Sequence, residues 1–520
     1  MHYLSFFCKS KPSRPLQSSG SPLLWRGAGG EAHRGGRLAL LALTLFFPLA
    51  THAQPTTLTL PAIIDQALSH SAAGHQAHTN RETGYWQWRG FQANYRPQLG
   101  LQGTVPNFSR VITPVVQPDG TTDFRAVRIN NSNLALTLSQ NIGLTGGQLV
   151  LGSEVQRFDD FNGELKRYNN QPFTIGVVQP LGQFNGLAWN RRIEPLRYQE
   201  SQRQYVEERE TIAQRVAELY FDVLLQQVNA DVAGQNARAA AEMLRVGQEK
   251  FKLGRLSQSD LLQLELNVLD ARQAQARAQM EAENAAVSLQ AYTGLPGTEA
   301  PQLAVPPAAQ LPPVAPAQAL EQARQHRSST LAFRRRLLQA ERDVALAKGS
   351  TGLQASLTAN LGYVNQAENL GTTYSNLQNQ QQVRLAFSMP IVDWGRQKSI
   401  VKTAELAREQ VQYNVAQEER SFEQTVLTQA GQLPSLSQQL RLAARADSLA
   451  QQRYDIARAT YLVGRISLND VNLALAAKDL AKRGYIAALR ACWVAHYRLR
   501  ALTLYDFERQ QPLASAAPAR

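Results

Sequence analysis

Two stretches carry the same polar residues at the same spacing. Residues 251–261 read FKLGRLSQSDL and residues 461–471 read YLVGRISLNDV. Gly254, Arg255, Ser257 and Asp260 recur as Gly464, Arg465, Ser467 and Asp470, each 210 positions on. The set is suited to making a sharp turn and presenting charge. Gly enters the left-handed region that ends one helix. Ser can cap the next helix, and Asp three residues later serves as a capping-box variant. Each copy lies between two long periodic runs, so each reads as a helix-to-helix turn.

Other reactive side chains point to no enzyme. His70, His75 and His78 are the only histidine cluster, and the first step rotates about 140° around a helix, so the three share no metal-binding face. Asp159 and Asp160 sit in a polar stretch and read as solvated. Arg334, Arg335 and Arg336 read as a solvated helix face rather than a nucleic-acid surface. G-x-S-x-G, P-loop and H-E-x-x-H patterns do not occur. The chain is read as non-enzymatic, with no catalytic, metal or cofactor-binding residues. Its two cysteines, Cys8 and Cys492, offer no metal-ligand pair.

Residues 38–49 (LALLALTLFFPL) follow Arg34 and Arg37 and precede Thr51-His52-Ala53. That is the pattern of a secretory signal peptide over 1–53, too short for a spanning helix. Removing it lowers the formal charge from +13 to +8, spread along the helices. It also leaves a single thiol. No cysteine marks a lipoprotein cleavage site.

The elements that hold the two turns follow from periodicity. Leu58–Arg96 reads as helix and Pro97 ends it. Candidate strands follow near Leu99–Val105, 132–142, 148–157 and 172–180, with 111–130 read as a long loop carrying Pro114 and Pro118. A helix of ~60 residues, roughly 90 Å, then runs to the first turn with a seam at Ile212, Val216, Leu219 and Val223. The return helix, 258–292, has a candidate seam at Leu262, Leu266, Leu269, Ala276, Met280 and Val287. The first repeat is thus 54–295, with strands at about 97–181. Residues 296–316 form a Pro-rich linker. The second repeat is 317–506: helix, strands at about 353–391, a long helix kinked at Pro434, the turn at 461–471 and a return helix. Residues 507–520 read as a disordered tail. The offset between halves falls from 256 before the strands to 210 after them. The first half therefore carries 46 extra residues, room for one more hairpin.

Strands of about ten residues with one apolar face are the signature of a transmembrane β-barrel. Four in the first half and two in the second are too few to close alone, since barrels start near eight strands and open edges are not tolerated in lipid. Several chains must share one barrel. Trp86, Trp88, Tyr95, Trp189 and Trp394 near the strand ends suit an interfacial girdle. The fold class is therefore mainly α with transmembrane β: long antiparallel helical hairpins forming an α-barrel, strands contributing to a shared β-barrel, and two internal repeats.

At this point the chain resembles the TolC-like outer-membrane efflux protein family over about residues 55–506. The resemblance rests on LTL…A at 58–67, VVQPL at 177–181, FSMPIVDWGR at 387–396 and the two turns. It implies a homotrimer in the cell outer membrane, contacting outer-membrane lipid, with a helical tunnel in the periplasm. It also implies a periplasmic adaptor (membrane fusion) protein and an inner-membrane pump as partners. Four strands per chain are usual in the family, so the extra residues here are a departure. The positions matching the adaptor-docking tips are Leu253, Gly254, Arg255 and Leu256, and Val463, Gly464, Arg465 and Ile466. Those matching the periplasmic gate are Asp260, Tyr461 and Asp470. Leu473 stands where a second gate acid would be and Ile466 where a gating Arg would be. The function implied is passive conduction of drugs and small molecules. An exit duct for type I protein secretion and a non-channel coiled-coil spacer are the alternatives.

Overall fold

The computed structural model describes residues 58–296, 301–307, 313–463 and 465–513. The signal-peptide expectation, parts of the linker, Gly464 and residues 514–520 lie outside the described residues. Helices dominate, with one large sheet. The order is α1 (Leu60–His70), α2 (Ala72–Ala93), β1 (Gln98–Thr104), β2 (Phe108–Val116), β3 (Thr122–Ile142), β4 (Gly147–Asp160), β5 (Leu165–Leu181), α3 (Gly186–Lys252) and α4 (Gln258–Thr293). Then come α5 (Pro316–His326), α6 (Ser328–Ser350), β6 (Gln354–Ala367), β7 (Gln378–Ser388), α7 (Arg396–Leu462), α8 (Leu468–Thr503), β8 (Tyr505–Asp506) and β9 (Gln511–Pro512).

α3 and α7 are each 67 residues long, roughly 100 Å of helix. α4 and α8 are each 36 residues long. The expected seam on α3 is buried at all four positions, Ile212, Val216, Leu219 and Val223. They pack with Leu60, Ile63 and Ile64 of α1 and Leu289 of α4. Tyr220 secures this core, its hydroxyl donating to the Leu58 carbonyl at 3.1 Å and also to that of Ala304. The stretch 301–307 is thereby strapped to the start of α1, and Leu303 forms a parallel bridge with Leu58.

The first predicted helix is broken at Ser71, whose hydroxyl accepts from the Gly74 N–H at 2.9 Å and starts α2. Gly294 closes α4 with φ +69°. A Cβ there would stand 2.9 Å from the His70 carbonyl oxygen, so the ends of α1 and α4 abut.

The candidate seam on α4 is corrected. Leu262, Leu266, Leu269, Met280 and Val287 are exposed, whereas Leu264, Val268, Ala286 and Leu289 are buried. The helix turns the second set toward its own chain and leaves a Leu-rich stripe uncovered. The arginine run also differs from its reading. Arg335 grips Glu200 of α3, with Nη2 donating to Oε1 at 3.0 Å, and Arg336 grips Glu418 of α7 in the same two-pronged way. Forked guanidinium–carboxylate pairs fix orientation, and here they hold α6 between α3 and α7.

The sheet runs β1-β3-β4-β5-β6-β7, with β2 also on β3. β1 and β2 lie one after the other along the 21-residue β3, so the stretch expected as a loop is a ribbon. Val111, Thr113 and Val115 supply alternation, and Pro114 is accommodated because β2 lies at the sheet edge. β4 pairs with β3 only from Ile129 to Ile142, so β2 and the first residues of β3 extend past the other strands.

Successive residues point to opposite faces. Register places Leu99, Leu138, Leu151, Ile175 and Leu361 in one row across five strands. The opposite face carries Gln102, Thr137, Thr174, Asn360 and Gln382. The 143–146 turn lies at the helix-proximal end, and the 117–121, 161–164 and 368–377 connections at the other. Asp159, read as solvated, is 7 % exposed, taking the Asn130 amide at 2.8 Å and Arg157 at 2.9 Å. Residues read as part of a disordered tail are ordered to 513: Tyr505 and Asp506 pair with Pro512 and Gln511.

Candidate functional site at the helix turns

The first turn is built as its residues demand. Gly254 adopts φ +67°. Its N–H donates to the Phe251 carbonyl at 2.9 Å, and the Arg255 N–H reaches back to the Lys250 carbonyl at 2.8 Å. Those two bonds make a Schellman close of α3. Ser257 then caps α4: its hydroxyl accepts from the Asp260 N–H at 3.1 Å and donates to the Asp260 carboxylate at 2.7 Å.

The second turn repeats this logic. The Arg465 N–H donates to the Thr460 carbonyl at 3.1 Å. Ser467 and Asp470 form a full capping box, the Ser467 N–H donating to Asp470 Oδ2 at 3.1 Å and the Asp470 N–H to Ser467 Oγ at 3.3 Å. The Ser467 hydroxyl and N–H hold the Asp470 carboxyl below the usual carboxylate range.

The expected docking positions divide in two. Leu253 and Val463 are 70 % and 71 % exposed, and Arg255 and Arg465 are exposed. Leu256 and Ile466 instead pack on a buried cluster of Met243, Leu264, Tyr454, Tyr461, Val471 and Ala474. The expected gate also divides. Asp260 and Asp470 are exposed, while Tyr461 is buried. The Lys250 Nζ stands 5.0 Å over the Tyr461 ring. Burial, with a contribution from the Asp260 charge, pushes the Tyr461 phenol up. Leu473 is exposed.

Further side chains join the two hairpins where sequence reading saw nothing. Arg458 donates to Glu242 at 2.7 Å and Asn236 to Asp479 at 2.6 Å. Lys478, 6 % exposed, lies 4.7 Å over the Tyr454 ring and 3.4 Å from Asp479. The adjacent Lys-Asp inside an otherwise Ala-rich run was the available signal. These groups border a cleft of 380 Å³ between the hairpins, lined also by Met243, Leu264 and Asn267. The set positions charge and holds helices together; no nucleophile–base pair is assembled. Among the described residues no group of His, Cys, Asp or Glu could hold a metal ion, and no helix is long and apolar enough to cross a membrane.

Comparison with known proteins fits this architecture. The fold is similar to that of CusC, at 18 % identity and TM-score 0.60 over 85 % of this chain and 91 % of that one. It is similar to the CmeC outer membrane channel of Campylobacter jejuni, at 17 % identity and TM-score 0.61 over 85 % of each. The same holds for the open MtrE outer membrane channel of Neisseria gonorrhoeae, at 17 % identity and TM-score 0.59 over 85 % and 88 %. No curated protein matches in sequence. The outer membrane efflux protein family model matches residues 132–295, from β3 to the end of α4. Over that stretch the chain is similar to the outer membrane efflux protein family.

Proposed function

We propose that the protein is the outer-membrane exit duct of a tripartite export complex. It passively conducts drugs and other small molecules delivered by a periplasmic adaptor and an inner-membrane pump. The observation that carries this is the sheet: one face apolar from strand to strand, the other polar, and the edges at β1 and β7 unpaired among the described residues. Backbone edges cannot stay open in lipid. Three copies joined edge to edge, β7 of one against β1 of the next, close that surface, and three six-strand paths give eighteen strands. The two halves act as internal repeats, the second from about 317 to 506, and their hairpins line a periplasmic tunnel. The exposed stripe on α4 meets the neighbouring copy.

At the far end, Leu253, Gly254 and Arg255, with Val463, Gly464 and Arg465, dock the adaptor, and Leu256 and Ile466 anchor the turns beneath them. Asp260 and Asp470 charge the entrance and favour cations, while Tyr461 locks the hairpins in the closed arrangement. Single-channel recording in planar bilayers tests the reading. Conductance from purified protein is expected; confirmed insertion without current overturns it.

A further inference from the structure

A cleft of 690 Å³ opens at the junction of helices and sheet, bordered by α2, α3 and the 143–146 turn. One wall is an aromatic ladder. Tyr198 stacks on Trp88 at 5.4 Å and 5°, Trp88 on Phe91 at 5.3 Å, and Phe91 meets Tyr95 edge-on at 5.1 Å. The ladder is anchored at its end, because the Tyr95 hydroxyl donates to the Leu187 carbonyl at 2.7 Å. Gln140 donates to the Tyr95 carbonyl at 2.9 Å and ties the ladder to β3.

Arg96 and Arg191 also line the cleft. Both are exposed, and among the described residues neither guanidinium has a hydrogen-bond or ion-pair partner. Arg191 is near enough to Tyr95 for its charge to be felt there, as is Glu194. The Glu194 carboxylate is taken by Arg197 at 2.9 Å. By contrast Arg197 of α3, Arg335 and Arg336 of α6 and Arg500 of α8 are matched to carboxylates. Two unmatched cations therefore stand beside a fixed aromatic wall, and Leu144, 85 % exposed, caps one side.

We propose that this cleft binds the phosphate headgroup of an anionic phospholipid in the inner leaflet of the outer membrane. The inference rests on the reading that the sheet spans that membrane, because only then does the helix-proximal end of the strands lie at the headgroup layer. The chemistry fits the place. Tyr and Trp rings sit well where one side is apolar and the other wet. A guanidinium pairs with a phosphate through charge-assisted, forked hydrogen bonds. The acyl chains of the same lipid would run along the apolar face of β3 and β4, past Leu138 and Leu151. Such a lipid would brace the joint between sheet and tunnel.

The test is native mass spectrometry of the full-length protein in detergent, titrated with phosphatidylglycerol or with phosphatidylethanolamine. It compares wild type with the Arg96→Gln/Arg191→Gln and Arg96→Lys/Arg191→Lys variants. Wild type is expected to retain phosphatidylglycerol preferentially. The Gln variant is expected to lose about tenfold in retention, while the Lys variant keeps part of it. Equal phosphatidylglycerol retention by wild type and the Gln variant overturns the proposal. Displacement of the lipid by millimolar inorganic phosphate also overturns it, as the cleft would then be a site for the free ion. Circular dichroism on each variant establishes that retention is read on folded protein. Bilayer conductance of wild type is measured separately, so a failed channel reading shows there and a failed lipid site shows in the mass spectra.

Discussion

Arg458 of α7 reaches the Glu242 carboxylate of α3 at 2.7 Å, joining hairpins 216 residues apart in the chain. Both side chains are about half exposed, at 42 % and 48 %. An exposed pair of this kind contributes at most about 1 kcal/mol, so Arg458→Glu is expected to leave thermal stability almost unchanged. Its effect should appear in gating: single-channel records should show a raised open probability. Raising salt from about 0.1 to 1 M shortens the screening length from roughly 10 to 3 Å and should move wild type toward the variant. Identical open probabilities would remove this pair from the closing mechanism.

Gly254 tests the turn itself. A Cβ at this position meets no atom within 4 Å, yet φ is +67°. Gly254→Ala should therefore cost backbone strain alone, about 1–2 kcal/mol, measured by denaturant unfolding. Gly254→Trp adds bulk at the docking surface and should abolish adaptor-dependent drug resistance. Resistance retained at normal protein levels would count against docking at this turn.

The exposed stripe on α4 is expected to lie between copies. Replacing Leu266 and Leu269 together by Gln should shift sedimentation from trimer toward monomer. Burial of a Leu side chain contributes about 1.5–3 kcal/mol, and the proposed trimer has three such interfaces. An unchanged sedimentation profile at submicromolar protein would place the stripe elsewhere.

His496 sets an acid limit on stability. Burial, reinforced by the charge of Arg500, pushes its imidazole down to about 4. An unfolded histidine titrates near 6.5, so between about 4 and 6.5 the unfolded chain binds the extra proton. Stability from this site is complete above about pH 6.5 and is lost as pH falls toward 4, by roughly 3 kcal/mol in all. Denaturant midpoints across that range should slope for wild type and flatten for His496→Asn.

Much of this molecule was legible where a residue's partner lies on the same or the next element. The α3 seam, the turns and the strand alternation are local patterns, and each is in place. The α4 stripe misled because two apolar sets share that helix and periodicity does not say which faces its own chain. Asp159 misled because Asp-Asp beside Phe-Asn-Gly resembles a turn, whereas Asn130 and Arg157 fold over it at the end of β4. Tyr461 is matched to the periplasmic gate by resemblance, with nothing in its neighbours to say that it is buried. Its burial draws on Met243 and Leu264 of the other hairpin as well as on Val471 and Ala474 of its own, and no local pattern announces the first pair. The Glu242–Arg458 tie was invisible for the same reason.

The matched lengths of the hairpins, 67 and 36 residues in each, constrain how such a chain can change. Deleting two turns from α3 alone would retract one tip by about 11 Å while its companion stayed put, and the buried cluster beneath both tips would lose Met243 and Leu264 at once. A viable shortening has to strike α3, α4, α7 and α8 together. Length in this molecule is inherited as a single indivisible trait, so natural variants should differ in reach by coordinated sets of insertions and hardly ever by one.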